Sequence, residues 1–238
     1  MENGAWNWND REIRRYLGMG AGGEEAPEPV RALIEACKEE LMSAASPKAV
    51  WREFSLTWRG DGWLDFGCFQ TRSRDLSRNL RDCTQAVLFA ATLGAQVDRL
   101  LGRYGKLDVS RAVVLQAAAA SMLETFCDQE NERLKAAYAQ KGLYLRPRFS
   151  PGYGDFPLTC QRPIAAALDL NRRLGVTLTE SFLMAPSKSV TAVIGASPIP
   201  GNCRIQGCEA CKKTDCLYRR ETISSGDPSS AGIHPAQE

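Results

Sequence analysis

Apolar positions along this chain change period several times, and each change marks a predicted element. Ile13, Tyr16 and Leu17 fall on one side of a short helix that Asp10 can cap and Gly18 stops. Residues 19–26 are rich in Gly and Glu and read as a loop. Val30, Leu33, Ile34, Cys37 and Leu41 then recur at helical spacing, with Pro29 suited to the first turn and Pro47 closing the segment. Glu39 and Glu40 face the other way, toward solvent. The pattern next shortens to partial alternation: 50–58 and 63–69 read as two strands of a hairpin around the turn 59–62. Ser73 is placed to cap a helix with Leu76 and Leu80 inward. The nearly unbroken apolar run 86–93 has the length of a strand buried on both faces, with a helix as the other reading.

Beyond Gly94, Val97, Leu100, Leu101 and Tyr104 form a short amphipathic helix, and 108–140 is the longest helical stretch. The four alanines 117–120 let another element or a ligand come close to it. Glu124 follows among Leu123, Thr125 and Phe126. It is either an exposed edge residue or a carboxylate turned toward the segment after Gly142, which ends the helix. Ile164, Ala165 and Leu168 mark a helix over 160–170, stopped by Gly175. Residues 176–184 read as a strand, 185–188 as a turn and 189–195 as the returning strand. Hairpins mixed with helices, without regular β-α-β alternation, predict an α+β fold: a twisted, mostly antiparallel sheet packed with helices, plus a short cysteine-rich C-terminal tail. The expected boundaries are one α+β domain over 1–200, a cysteine-rich segment over 201–220 and a disordered tail over 221–238.

Composition narrows the function. With 238 residues, 44% hydrophobic and 24% charged, the chain can build an ordinary core. The net charge of +2 gives no support to nucleic-acid binding. No apolar run approaches a membrane span and the N-terminus lacks the pattern of a secretory signal, so a cytoplasmic location is expected. His234, in the tail, is the one histidine, which removes Ser-His and Cys-His hydrolysis.

Two stretches carry candidate chemistry. Residues 148–153 read Arg-Phe-Ser-Pro-Gly-Tyr. The Pro-Gly step turns the backbone, Arg148 offers a planar fork of donors for a carboxylate, and Tyr153 offers an aromatic face. The combination suits a small zwitterion carrying a flat ring; the plainer reading is a surface turn with a stacked Arg-Tyr pair. The second stretch holds Cys203, Cys208, Cys211 and Cys216 as C-x4-C-x2-C-x4-C. Four thiolates suit one zinc or one iron–sulfur cluster, with Lys212 and Lys213 lowering the thiol pKa values. Reversible disulfides and reactive thiols are the other readings. The remaining five of the nine cysteines are scattered singly and read as small buried hydrophobes.

Arg148, Gly152 and Tyr153 match the R-x-x-x-G-Y motif of the activation domain of cobalamin-dependent methionine synthase. Leu178, Thr179, Glu180, Ser181, Phe182, Met184 and Pro186, then Ser189 and Val190, also resemble that domain. Residues 14–18, Arg-Arg-Tyr-Leu-Gly, resemble the opening of its stand-alone relatives. The resemblance implies binding of S-adenosylmethionine by Glu124, Arg148, Ser150 (alanine in the usual motif), Gly152 and Tyr153, with Glu124 meeting the ligand's ammonium. It further implies an activation subunit of a cobalamin-dependent methionine synthase, a methyltransferase, supporting reductive remethylation of cobalamin. The expected partners are a cobalamin-carrying synthase core or corrinoid protein and an electron-donor protein. The chain is too short for the homocysteine, folate and cobalamin modules of the full enzyme. Residues 192–195 replace an aromatic-rich segment of the family, and the cysteine tail is an addition to it. The rival expectation is a non-catalytic corrinoid-protein interaction or sensor module with a structural metal clip.

Overall fold

The computed structural model describes residues 6–19 and 26–200. Helices α1 (Asp10–Tyr16) and α2 (Glu28–Ala44) come first. Strands β1 (Lys48–Ser55), β2 (Thr57–Trp58), β3 (Trp63–Asp65) and β4 (Gln70–Arg72) follow, then α3 (Arg74–Asn79), β5 (Gln85–Thr92), α4 (Ala95–Leu107) and the long α5 (Val109–Ala139). β6 (Tyr144–Leu145) leads into the 148–153 bend and on to α6 (Gln161–Leu168) and α7 (Leu170–Leu174). β7 (Thr177–Leu178), β8 (Met184–Ala185) and β9 (Ser189–Ser197) follow.

The main sheet has the order β1-β5-β9-β6 and each neighbouring pair is antiparallel, so the α+β expectation holds. β5 is buried over all but its first residue because both sheet faces are covered. Alternation splits its side chains between two cores. Ala86, Leu88 and Ala90, with Val193, meet Ile164 and Leu168 of α6 and Leu170 and Leu174 of α7. Val87, Phe89 and Ala91, with Ala192 and Ile194, meet Cys127, Leu134 and Tyr138 of α5. A third core lies among the helices, where Ala117, Ala118 and Ala119 of α5 pack with Ile13, Ile34, Cys37 and Leu41. The alanine run thus brings other helices close, and its small side chains are buried in that contact. Each fully buried Leu or Ile contributes about 1.5–3 kcal/mol.

Ser73 caps α3, accepting from the Leu76 N–H at 3.0 Å, as the sequence predicts. Several expectations need correction. The cap of α1 is Asn9, whose side chain accepts from Glu12 at 3.0 Å; Asp10 is already helical. The hairpin over 50–69 breaks at Leu56. Residues 48–55 leave it to pair with β5 along the whole strand, and only β2 turns back onto β3, which then pairs with β4. The Leu56 side chain is buried and its N–H donates to Thr84, so the break is anchored by a long-range contact. Residues 176–184 do not pair with 189–195. They fold on themselves as the β7–β8 hairpin, closed by Thr179 N–H donating to Leu183 at 2.9 Å, while β9 enters the main sheet beside β5. Glu40 is not simply solvated: its carboxylate pairs with Arg111.

Candidate functional site

The bend extends the edge of the main sheet. Past β6, the Arg146 N–H donates to the Gly195 carbonyl at 2.8 Å, and Phe149 and Val193 exchange two backbone hydrogen bonds of 2.9 Å. That pairing holds residues 146–149 beside β9 and turns Arg148 toward α5. Pro151 and Phe156 are buried beneath the turn, with the Phe156 ring 6.2 Å from that of Phe149. Within the turn the Tyr153 N–H donates to Ser150 at 3.2 Å and the Gly152 N–H to Phe156 at 2.8 Å.

Two glycines are required here. Gly152 has φ +93°, a region that L side chains avoid, and a Cβ there would lie 3.3 Å from Leu158. Gly154 has φ +53°, and a Cβ would collide with the Asp75 carboxylate. That close approach reflects how the bend is tethered. Asp155 accepts from the Ser73 hydroxyl at 2.5 Å and from the backbone N–H groups of Arg74 at 2.8 Å and Asp75 at 3.1 Å. The Ser73 hydroxyl first, then these first-turn amides, hold the Asp155 carboxyl below its ordinary range. At the other end of α3, Arg146 is buried and its guanidinium donates to the Arg81 carbonyl at 3.4 Å.

Arg148 meets Glu124, the helix carboxylate that the resemblance assigns to a ligand's ammonium. One guanidinium nitrogen lies 3.2 Å from a Glu124 oxygen and 2.9 Å from a carboxylate oxygen of Asp128. Glu124 and Asp128 are four residues apart on α5 and so share a face. The Arg148 side chain is 18% exposed, against 45% for Glu124 and 72% for Asp128. Between them in sequence, Cys127 is buried, and burial pushes its thiol up to about 12, so it packs rather than reacts. Tyr153 is 68% exposed and stands clear of the ion pairs, so the stacked Arg-Tyr turn is not what forms. Ser150 is half-buried and lends its carbonyl to the turn. Cys203, Cys208, Cys211 and Cys216 lie outside the described residues, and among the described residues no group of three or more His, Cys, Asp or Glu is arranged to hold a metal.

Asp128 and Asp155 escaped the sequence reading. Asp128 had a readable signal, its four-residue spacing from Glu124. Asp155 had none, since its partners are some eighty positions away. Chemically, the cluster sets one planar cation against two carboxylates. A ligand carboxylate can take the outward donors of Arg148, and a ligand cation can approach Glu124 and Asp128.

The comparisons agree with this geometry at the level of family and fold. The family model described as "Vitamin B12 dependent methionine synthase, activation domain" matches residues 77–220, which include the bend, Glu124 and the four clustered cysteines. A crystal structure of the MetH reactivation domain bound to AdoHcy superposes with a TM-score of 0.57; it is 19% identical, over 79% of this chain and 76% of that one. At that identity the likeness is one of fold. No curated protein matches the sequence. Because the family match spans more than half of the chain, the protein belongs to the vitamin B12-dependent methionine synthase activation domain family.

Proposed function

We propose that this chain binds S-adenosylmethionine through Glu124, Arg148, Ser150, Gly152 and Tyr153, and that Asp128 belongs to the same site. The observation that carries this reading is the meeting of Arg148 with Glu124 beside an exposed bend. The ligand carries the complementary groups: a carboxylate for the guanidinium, an ammonium and a sulfonium for the two carboxylates, and a flat base for Tyr153. Each charge-assisted hydrogen bond contributes about 1.5–3 kcal/mol. The AdoHcy held by the solved relative is the demethylated form of the same ligand, and this supports the assignment.

Family membership supports a role in activation. The chain would present the methyl donor to a cobalamin held by a separate methionine synthase core or corrinoid protein, while an electron-donor protein supplies the electron. The cobalamin supplies the methyl-accepting cobalt. This chain's part is to bind and orient the donor. In this reading residues 1–200 form the ligand-binding unit and 201–220 a metal-binding segment in which Cys203, Cys208, Cys211 and Cys216 hold zinc or an iron–sulfur cluster. Four cysteines within fourteen residues support that donor set.

A thermal-shift screen with S-adenosylmethionine, its demethylated product and cobalamins tests the ligand. Stabilisation by the first two is expected, and no shift with either removes the reading. Iron analysis and electron paramagnetic resonance on anaerobically purified protein test the cluster, and metal-free protein removes it. One observation favours a second reading. Arg148 already pairs with two carboxylates, so the cluster also suits a corrinoid-protein interaction or sensor module that keeps the fold without the ligand. That reading predicts an unshifted melting temperature with S-adenosylmethionine and a stable complex with a corrinoid protein.

A further inference from the structure

On the far side of α3 lies a groove of about 530 Å³ lined by Trp58, Gly62, Arg74, Ser77, Arg78, Arg81 and Asp82. One wall is the β2–β3 hairpin and the other is α3 with the turn that follows it. Arg74, Ser77 and Arg78 fall on one stripe of the helix, and Arg81 continues it one turn on. Hydrogen bonds hold the walls in register. The Gly62 carbonyl accepts from the Ser73 N–H at 3.0 Å and from the Ser77 hydroxyl at 3.3 Å, and the Trp58 indole donates to the Cys83 carbonyl at 3.2 Å. That last bond pins one edge of the indole and leaves the residue 43% exposed.

The charge in this groove is one-sided. Nearby arginines are spoken for, Arg59 by Asp65 and Arg72 by Asp61. Arg78 pairs with Asp75 at 3.1 Å, a contact exposed to solvent on both sides and easily exchanged. Among the described residues no carboxylate pairs with the guanidinium of Arg74 or Arg81. Asp82 is the single acidic residue of the lining. Guanidinium forks match phosphate oxygens in geometry, and an aromatic face beside them receives a planar base.

We propose that this groove binds a phosphorylated nucleotide, its base against Trp58 and its phosphates between Arg74, Arg78 and Arg81. The site is separate from the Arg148 cluster and stands whether or not that cluster binds S-adenosylmethionine. Calorimetric titration of the full chain with ADP, adenosine and inorganic pyrophosphate tests it, with the double variant Arg74→Gln/Arg81→Gln alongside. Both side chains are exposed and have no ion-pair partner among the described residues, so the variant folds, which far-ultraviolet circular dichroism verifies. Saturable ADP binding is expected, weakened at least tenfold in the double variant and unchanged in Arg148→Ala. Pyrophosphate should compete more weakly than ADP, and adenosine should not compete. No saturable ADP binding, or equal affinity in the double variant, overturns the site. Adenosine binding as tightly as ADP overturns phosphate recognition, and pyrophosphate equal to ADP overturns the base contact and with it the nucleotide assignment.

Discussion

The two halves of α5 share one helical period and do opposite things with it. In the first half, Val114, Leu115, Ala117, Ala118, Ala119 and Met122 are buried against the other helices, and small side chains set how closely they approach. In the second half, Cys127, Leu134 and Tyr138 face the sheet, while Glu124 and Asp128 reach a guanidinium delivered from the sheet edge. The Tyr138 hydroxyl donates to Glu53 at 2.5 Å, so this half also holds a polar contact against β1. The contrast separates two kinds of constraint. The first half is fixed by volume, and its substitutions act on stability. The charged edge of the second half is only partly buried, where ion pairs contribute about 0–1 kcal/mol, so its substitutions are free to act on binding.

That separation can be broken by experiment. The largest effect is expected in the packed half: Leu115→Ala, at a fully buried site, should lower unfolding free energy by about 2–5 kcal/mol in chemical denaturation. A value under 1 kcal/mol would mean that the helical core is not close-packed. Next comes Arg148→Ala, expected to weaken S-adenosylmethionine at least tenfold, about 1.4 kcal/mol, with the melting temperature little changed. A large loss of stability with no change in affinity would make the cluster structural.

Asp155→Asn should cost about 1 kcal/mol, the difference between a charged and a neutral acceptor for the Ser73 hydroxyl and the first amides of α3. The pH dependence has a definite sign. The folded-state pKa of Asp155 is depressed, so its contribution is present above the unfolded value near 4 and is lost as pH falls through the folded value. The gap between wild type and Asp155→Asn should therefore close in acid, and a gap constant down to pH 2 would remove the carboxylate from the cap. The smallest effect is expected at Asp128→Asn. It frees one Arg148 donor and removes one carboxylate, so binding should change only a few-fold while stability moves by tenths of a kcal/mol.

How much of this was legible in the sequence depended on the range of the contacts. α5, the Ser73 cap and the buried run of β5 follow from local pattern, and each appears where the residues predict it. Strand partners do not follow from local pattern. Residues 50–58 look like half of a hairpin, yet most of that strand gains more by covering β5, and the break at Leu56 is set by Thr84. The stretch 176–195 misled for the same reason: a turn at 185–188 was readable, but the partner of β9 lies about a hundred positions earlier. In the site, Arg148 and Glu124 were readable as chemistry, and Asp128 by its spacing from Glu124. Asp155 was not, because its role arises only when the bend docks on α3.

The proposed function stands on whether the Arg148–Glu124–Asp128 cluster receives a sulfonium amino acid. Isothermal titration of S-adenosylmethionine into the full chain and into Arg148→Ala, side by side, decides it. A single saturable site is expected in the wild type, with at least tenfold weaker binding in the variant. No heat of binding in the wild type, or the same affinity in both proteins, would contradict it.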